Sequence, residues 1–536
     1  MAQLAKERDY YTSVNAYIDF TKSFGKHQVS ALAGFNQEYN SHRYMRGERE
    51  ELISSSLPSV ELATGSARVR EDNYEWATRG GFFRLNYIYN NKYIFEANGR
   101  YDGSSRFPKN DRFGFFPSIS AAWIISQEKF MHATQNWLNY AKLRISYGAL
   151  GNQDVSYYEY IASMGSSEQQ LLINGIKPMG VTPSGLVSNS LTWEKVYTKN
   201  IGLDLNFFNN RLTFSGDIYR RDTKDMLTKG KTLPSVLGAL EPRINAADMK
   251  TEGWEISLGW RDLFNLGNKP FSYNVKFILS DNRSFITRFD NPTGNLDDWY
   301  EGCEIGEIWG LVTEGFLRDQ ADIDNHADQW DVTSYPGDRP IEPGDLKYKD
   351  LDNNGKINNG SWTVNDPGDY KVIGNNASRY NYGADFTAEW NGLDFRVLLQ
   401  GVGKKDWYPE SHYFFGIYRA PWGNVLENNL DHWTPENTDA YFPRLKSYIA
   451  EGGKDLAINQ TRYLQNAAYL RIKNITIGYT LPKKFTMKAK LERVRLYLTG
   501  DNIFEFTKLS KNYDPEILGT SHPMQRLFTF GLNLSF

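Results

Sequence analysis

One short run of the sequence has the residue types and spacing of a loop that binds a divalent cation. Its candidate ligands are three alternating side chains and one backbone carbonyl, from Asp350, Asp352, Asn354 and Lys356 respectively. With Gly355 for the sharp turn, these residues fill ligand positions 1, 3, 5 and 7 of a calcium loop. Position 12 is Ser361, so the bidentate carboxylate that closes such loops is missing there. The alternative is a polar turn whose Asp and Asn side chains bond their own backbone.

Aromatic residues in the long polar connections are the candidates for substrate binding. Flat rings cover the apolar faces of sugars while neighbouring acids and amides bond the hydroxyls, which is the usual composition of a ligand site. The candidates are Trp299, Tyr300, Trp330, Trp407, Tyr408 and Trp422, with Trp433 as a further loop indole. The alternative is that these rings pack the loops on themselves or on a partner protein, since aromatics also anchor interfaces.

No combination of residues points to catalysis. Carboxylates such as Glu304 and Glu307 are numerous enough to suggest a glycosidase pair, but the sequence favours solvated loop charges instead. The 7 histidines show no zinc spacing. The glycines Gly401 and Gly403 lack the rest of a dinucleotide fingerprint. We therefore expect a protein that is not an enzyme.

Composition narrows the class further. The 536 residues carry 61 Lys and Arg against 64 Asp and Glu, and this balance disfavours nucleic acid as a partner. The single Cys303 excludes a disulfide framework and any multi-thiolate metal site. No run approaches 18 apolar residues, and the first residues show no signal peptide. Yet 34 Tyr, 31 Phe, 14 Trp and 45 Gly, with a mean hydropathy of −0.58, favour strands and turns.

The elements that must position these residues are strands. Phe528, Phe530 and Leu532 alternate with polar or small residues, which is the period-two pattern of a strand with one apolar face. In 470–479 the alternation changes phase around Asn474, which predicts a β-bulge. About fifteen such segments lie near 10–20, 27–39, 76–89, 92–102, 113–126, 141–151, 193–206, 211–222, 249–261, 271–281, 380–390, 393–400, 469–479, 493–502 and 525–536. The fold class is all-β.

The connections alternate between short and long. Asn-Asn and Asn-Gly turns make tight hairpins at 90–91, 209–210 and 391–392. The long connections are 40–75, 152–192, 223–248, 282–379 and 401–468. An antiparallel meander then places every short turn at one end and every long loop at the other, as in transmembrane β-barrels of the outer membrane. A soluble β protein is the alternative.

The odd number of predicted strands adds an expectation about the barrel. With fifteen strands, the first and last run in the same direction and cannot pair antiparallel, whereas single-chain bacterial barrels close with even numbers. Either the strand count is wrong by one or the chain lacks the first strands of the barrel.

Several motifs resemble the barrel of SusC/RagA-type TonB-dependent transporters. They are RYDGSSRF at 100–107, FFPS at 115–118, KLRISYG at 142–148, TEGWEI at 251–256, GDLKY at 344–348, VIGN at 372–375, YLRIKN at 469–474, YDPE at 513–516 and TFGLNLSF at 529–536. They occur in the family's order over most of the chain.

The resemblance implies that 1–536 is the C-terminal part of such a barrel, with roughly 15 of the family's 22 strands and without the plug domain. It implies import of an oligosaccharide or peptide across a Gram-negative outer membrane, with a SusD-like surface lipoprotein as partner and energy from the TonB complex through the plug. Residues 282–379 and 401–468 are then extracellular loops. In the family an acidic residue precedes the VIG motif, so Asp366 or Asp369 could complete the calcium loop, with a structural role for the ion. No other cofactor is expected. A secreted all-β carbohydrate-active enzyme and a passive porin-like channel remain the alternatives.

Overall fold

Fifteen strands form one antiparallel sheet and follow one another across it in chain order. The computed structural model describes all residues except 57, 183, 231–232, 239–240, 334–339, 419–423, 447–454 and 520. The strands are β1 Ala2–Phe24, β2 His27–Arg49, β3 Ala67–Tyr89, β4 Tyr93–Ser104, β5 Phe113–Ile124, β6 Leu138–Asn152, β7 Glu194–Phe207, β8 Leu212–Lys229, β9 Arg243–Leu266, β10 Lys269–Arg288, β11 Arg379–Trp390, β12 Leu393–Lys404, β13 Tyr469–Thr480, β14 Arg493–Thr507 and β15 Leu527–Ser535. Each predicted segment overlaps one strand, so the predicted number and order of strands are confirmed.

The first strands are longer than predicted. β1 pairs with β2 without interruption from Ala2 opposite Arg49 to Phe24 opposite His27, whereas the alternating pattern covered only 10–20 and 27–39. The period-two signal fades where both faces become polar, but backbone pairing does not depend on side-chain polarity. The bulge in β13 is confirmed, because the register with β14 shifts between Ile472 and Asn474.

The sheet has one apolar and one polar face. Ile145, Ile201, Ile218 and Trp254 are direct neighbours on β6 to β9, and the three isoleucines are 50–71% exposed. Apolar side chains this exposed are suited to lipid, and a barrel presents such a band about 25 Å tall. On the opposite face the Arg144 guanidinium pairs with carboxylates of neighbouring strands.

Tight turns close the hairpins at one end of the sheet. Asn90 and Asn91 have positive φ angles of 51° and 55° between β3 and β4. Asn391 and Gly392, with φ angles of 49° and 88°, connect β11 to β12. Asn and Gly tolerate this left-handed conformation, which is why these pairs predicted hairpins correctly.

The long connections at the other end fold together around a shared hydrophobic core. We call this the loop core; its buried aromatic members are Phe316, Tyr348, Tyr408, Phe414, Phe415, Tyr418, Trp433, Phe442, Tyr463 and Tyr513. Short strands within the connections are Gly165–Glu168, Met179–Thr182, Glu307–Gly310, Thr313–Phe316, Leu346–Tyr348, Lys371–Asn375, Asp406–Trp407 and Gln465–Asn466. The α-helices are Gln320–Asp324, Trp330–Thr333, His412–Phe415 and Lys483–Thr486, and 3-10 turns lie at Ile125–Gln127, Lys129–Thr134, Ser235–Leu237, Gly416–Tyr418, Glu427–Leu430, Asp455–Ala457 and Met487–Ala489. In the described part of the chain, none of the helices has the length and apolarity needed to cross a bilayer.

Candidate functional site

An open cleft of about 860 Å³ lies against the loop core. Its walls come from several separate parts of the chain: the strand Glu307–Gly310, the two residues that flank its partner strand Lys371–Asn375, the segment 407–411 and the segment 457–459, with single residues from three other loops. Its aromatic lining consists of Trp309, Trp362, Tyr370, Trp407 and Tyr408. Its polar lining consists of Glu307, Asn376, Glu410, Ser411 and Asn459. Aromatic walls with a few polar groups are typical of a ligand site.

Two indoles of the cleft, Trp362 and Trp407, are each held by a contact outside it. The Trp362 ring nitrogen donates to Asp297 Oδ1 at 2.7 Å, and the ring meets Tyr370 edge to face with centroids 5.0 Å apart. Trp407 meets Tyr513 in the same geometry at 4.7 Å. The Tyr513 hydroxyl lies 2.8 Å from Ser411 Oγ. Both indoles also line the cleft, so part of each ring is open to a ligand.

Two tyrosines support the cleft from behind. The buried Tyr408 hydroxyl donates to the Leu456 carbonyl at 3.0 Å, and burial raises the pKa of this hydroxyl well above its ordinary value. Tyr300 donates to Glu307 Oε2 at 2.5 Å, and burial together with that carboxylate raises the pKa of Tyr300. The other Glu307 oxygen accepts from the Glu304 backbone N–H at 2.8 Å. Both tyrosines therefore remain neutral hydrogen-bond donors at any physiological pH.

The structure brings some of the sequence-predicted aromatics to the cleft and not others. Trp407 and Tyr408 line it, and Tyr300 lies one hydrogen bond behind it. Trp299 packs instead on Phe289 in a separate small cluster beneath the loops.

The remaining loop indoles lie away from the cleft. Trp330 begins a short helix elsewhere and is 43% exposed, whereas Trp433 is buried in the loop core. Trp422 falls outside the described residues.

Sequence reasoning missed Trp309, Trp362 and Tyr370. Trp309 and Tyr370 join the site because the strand Glu307–Gly310 pairs with Lys371–Asn375, placing Trp309 opposite Val372. This pairing is separated by about sixty residues of chain, and no local pattern encodes it. Trp362 sits between the acid-rich turn and the VIG motif at a positive φ of 54°. In the sequence, Trp362 could have been identified only as a tryptophan that lies in a long loop.

The acid-rich turn brings three carboxylates together. One oxygen each from Asp350, Asp352 and Asp369 lies within 4.8 Å of the others. The two side chains of the first half also bond their own turn: Gly355 N–H donates to Asp350 Oδ2 at 2.9 Å, and Asn354 N–H donates to Asp352 Oδ1 at 3.0 Å. The hydrogen bonds expected of a simple polar turn are therefore present together with the convergence of the three acids.

The other two loop positions fit the same turn. Asn354 Oδ1 accepts from the Lys356 N–H at 2.7 Å, and Lys356 itself lies in a single bridge with Asp328. Of the two acids considered for closure, Asp366 bonds Ser361 instead, through the backbone at 3.0 Å and the hydroxyl at 2.5 Å. Asp369, and not Asp366, is therefore the acid that converges with the first half of the turn.

Asp369 is buried and strongly held. It accepts from the N–H groups of Leu351 at 2.7 Å and Asn358 at 2.9 Å. Burial raises its pKa, and the carboxylates of Asp352 and Asp350 act in the same direction. Asp350 Oδ1 is buried without a hydrogen-bond partner among the described residues. An all-oxygen donor set with one unsatisfied oxygen fits a hard divalent cation.

A buried ion cluster connects the cleft to the sheet. The Arg471 side chain of β13 is 1% exposed, with Nη2 2.8 Å from Asp514 Oδ1 and Nη1 3.2 Å from Glu516 Oε1. Lys473 on the same strand lies 2.9 Å from Glu516 Oε2. Both acids lie in the loop between β14 and β15, next to the Tyr513 that packs on Trp407. The YLRIKN and YDPE motifs are therefore spatial partners.

The comparisons with known proteins all identify the same family. The sequence profile described as "TonB dependent receptor-like, beta-barrel" matches residues 2–366. TonB-dependent receptor P3 of Formosa agariphila is 29% identical over 556 residues, covering 97% of this chain and 52% of the relative. TonB-dependent receptor SusC of Bacteroides thetaiotaomicron is 27% identical over 536 residues, covering 98% of this chain and 50% of the relative. The chain thus spans about half the length of the curated relatives it matches.

A solved structure supports the fold. The structure of the RagAB peptide transporter superposes with a TM-score of 0.81 at 22% identity, covering 100% of this chain and 56% of that chain. At this identity the likeness shows the fold alone, and the fifteen-stranded sheet is accordingly part of a transmembrane β-barrel wall. The matched profile covers more than half of the chain. The chain belongs to the TonB-dependent receptor-like β-barrel family and is of the SusC/RagA type.

Proposed function

We propose that this chain forms barrel wall and substrate-binding loops of an active nutrient importer in the outer membrane of a Gram-negative bacterium. The family consists of receptors and transporters rather than enzymes. The exposed apolar face of the sheet suits the lipid of that membrane. Residues 282–379 and 401–468, which contribute most of the loop core, face the outside of the cell. The observation that carries the proposal is the aromatic cleft placed on these loops.

Uptake requires partners beyond this chain. A SusD-like surface lipoprotein captures the substrate together with the loops, and the TonB complex supplies energy through a plug domain of the whole transporter. The similarity to SusC and to the RagAB structure supports this assignment. Because the chain spans about half of its curated relatives, the transport cycle is proposed for the whole protein. The substrate is an oligosaccharide or a peptide, and Trp407 and Tyr408 contribute to its binding.

The acid-rich turn has a structural role in this proposal. We propose that Asp350, Asp352, Asn354, Asp369 and the Lys356 carbonyl hold a calcium ion that neutralises the converging carboxylates. The unsatisfied, buried Asp350 Oδ1 supports this. The ion would fix the connection between Leu346–Tyr348 and Lys371–Asn375, and the two residues that flank the latter strand, Tyr370 and Asn376, line the cleft.

The test is uptake by the native bacterium. Cells carrying a chromosomal deletion of the gene, or Trp407→Ala in it, are supplied with fluorescent oligosaccharides and peptides, with and without a protonophore. We expect wild-type uptake to stop when the proton-motive force collapses and to fall in both mutants. Uptake that persists without energy supports a passive channel. Release of sugar products by the purified protein supports a secreted enzyme. Either result contradicts active import.

A further inference from the structure

The charge distribution of the cleft restricts what it can bind. Among its lining residues that the structure describes, none is Lys, Arg or His. The charged groups of this lining are two carboxylates, Glu307 and Glu410. An anionic ligand would enter a site where every fixed charge repels it, and such repulsion across a few ångströms lowers affinity substantially.

Glu307 is a fixed charge rather than a ligand for a cation. One oxygen accepts from the Tyr300 hydroxyl at 2.5 Å and the other from the Glu304 N–H at 2.8 Å. Both oxygens are therefore already satisfied from the protein side. The carboxylate also sits on the strand Glu307–Gly310, whose pairing with Lys371–Asn375 keeps it in place. A ligand cation is not needed to stabilise it.

The rest of the lining suits an uncharged, hydroxylated ligand. Trp362 and Trp407 are each held by a contact outside the cleft, so their rings are pre-organised where they line it. Asn459 donates to the Trp309 carbonyl at 3.2 Å, which fixes its amide and leaves its oxygen as an acceptor. Ser411 and Asn376 add neutral hydrogen-bonding groups. The volume of about 860 Å³ is in the range that encloses several sugar units.

We propose that this cleft binds an uncharged oligosaccharide and discriminates against glycans that carry carboxylate or sulfate groups. The proposal rests on the proposed import function and specifies its substrate class. Glu410, which is exposed at the edge of the cleft, acts with Glu307 as a specificity determinant.

The experiment compares matched pairs of ligands. Full-length protein purified in detergent is titrated with β-1,4-linked hexasaccharides of glucose, mannose and galactose, each beside its counterpart oxidised to the uronate at C6. Members of a pair share linkage and shape and differ only in charge. We expect at least one neutral hexasaccharide to bind, and its uronate to bind at least tenfold more weakly at low salt.

Variants of the lining residues test whether the discrimination against uronates arises in this cleft. Glu410→Lys is expected to raise affinity for the uronate of the bound pair at least tenfold, and high salt to remove that gain. Trp407→Ala is expected to lower neutral binding at least tenfold. Trp330→Ala is the matched control, since Trp330 is a loop indole outside the cleft, and it should change neither affinity.

Several results would overturn the proposal. These are equal or tighter binding of the uronate, no response to Glu410→Lys, binding of lysine-rich hexapeptides in place of sugars, or binding of neither member of any pair. Uptake measured in parallel separates this inference from the proposed function. If wild-type cells show energy-dependent uptake while any of these binding results is obtained, only the charge selectivity is refuted. If wild-type cells show no energy-dependent uptake, the proposed import function is refuted.

Discussion

Replacing Arg471 should release the loop that braces the cleft. Arg471→Met removes a guanidinium that is 1% exposed and leaves the buried Asp514 without its cation, while Glu516 keeps Lys473. Breaking a buried pair on one side costs about 3–5 kcal/mol, because the remaining charge is uncompensated. The cost falls on local opening of the loop between β14 and β15, since the strands keep their backbone pairing.

The expected loss of local stability converts directly into a faster rate of hydrogen exchange. At about 1.4 kcal/mol per tenfold, the loss corresponds to at least roughly 100-fold faster hydrogen exchange in the affected amides. Hydrogen-exchange mass spectrometry in detergent should show this for peptides covering 508–518 and for the segment around Trp407, which Tyr513 contacts. Peptides from β3 and β4 should be unchanged.

Two control variants isolate the ion cluster. Lys473→Met removes a more peripheral cation, 19% exposed, and should accelerate exchange much less. The double variant Arg471→Met, Asp514→Asn removes this buried pair of charges together, leaves Glu516 paired with Lys473, and should restore much of the protection. Unchanged exchange in 508–518 after Arg471→Met, or an equal increase over the whole sheet, would refute the reasoning.

Three further predictions concern calcium, pH and the membrane. Calcium should raise the melting temperature of the wild type and not of Asp369→Asn, measured by nanoscale fluorimetry with a chelator as baseline; equal stabilisation of both proteins would contradict the site. Asp455 is buried in the loop core beside Lys446 and Asp345, and burial raises its pKa to about 8. Because the folded state holds this proton above the ordinary Asp pKa near 3.9, stability should fall as pH rises from about 4 to 8, and Asp455→Asn should flatten the thermal profile over that interval. Leu258→Arg, on the lipid-facing side, should destabilise the folded protein in lipid by about 2–4 kcal/mol in urea titrations. The adjacent Ser257→Arg, on the opposite face, should cost much less, and equal losses would show that the faces are misassigned.

The strands were predictable because their information is local. Alternation in Phe528, Phe530 and Leu532, and Asn-Gly pairs such as Asn391-Gly392, specify strand and turn within a few residues. The extensions of β1 and β2 could not be predicted in this way, because both faces of the strands are polar there and only backbone pairing defines them.

The candidate site was predictable only in part. The run from Asp350 to Lys356 is a local motif, and its turn forms as expected. The cleft depends on contacts between distant segments, such as Trp309 opposite Val372 and Trp407 against Tyr513. The sequence showed which loops carry aromatics. It did not show which rings converge, because that depends on how the loops pack.

The central claim is that the sheet spans the outer membrane with the cleft-bearing loops outside the cell. Cysteine labelling in intact cells tests it most directly, after Cys303→Ser removes the native thiol. Glu436→Cys lies at an exposed position of the loop between β12 and β13, and Lys26→Cys lies in the turn between β1 and β2. We expect a membrane-impermeant maleimide to label position 436 in intact cells and position 26 only after the outer membrane is permeabilised. Labelling of position 26 in intact cells, or of position 436 only after permeabilisation, would contradict the account.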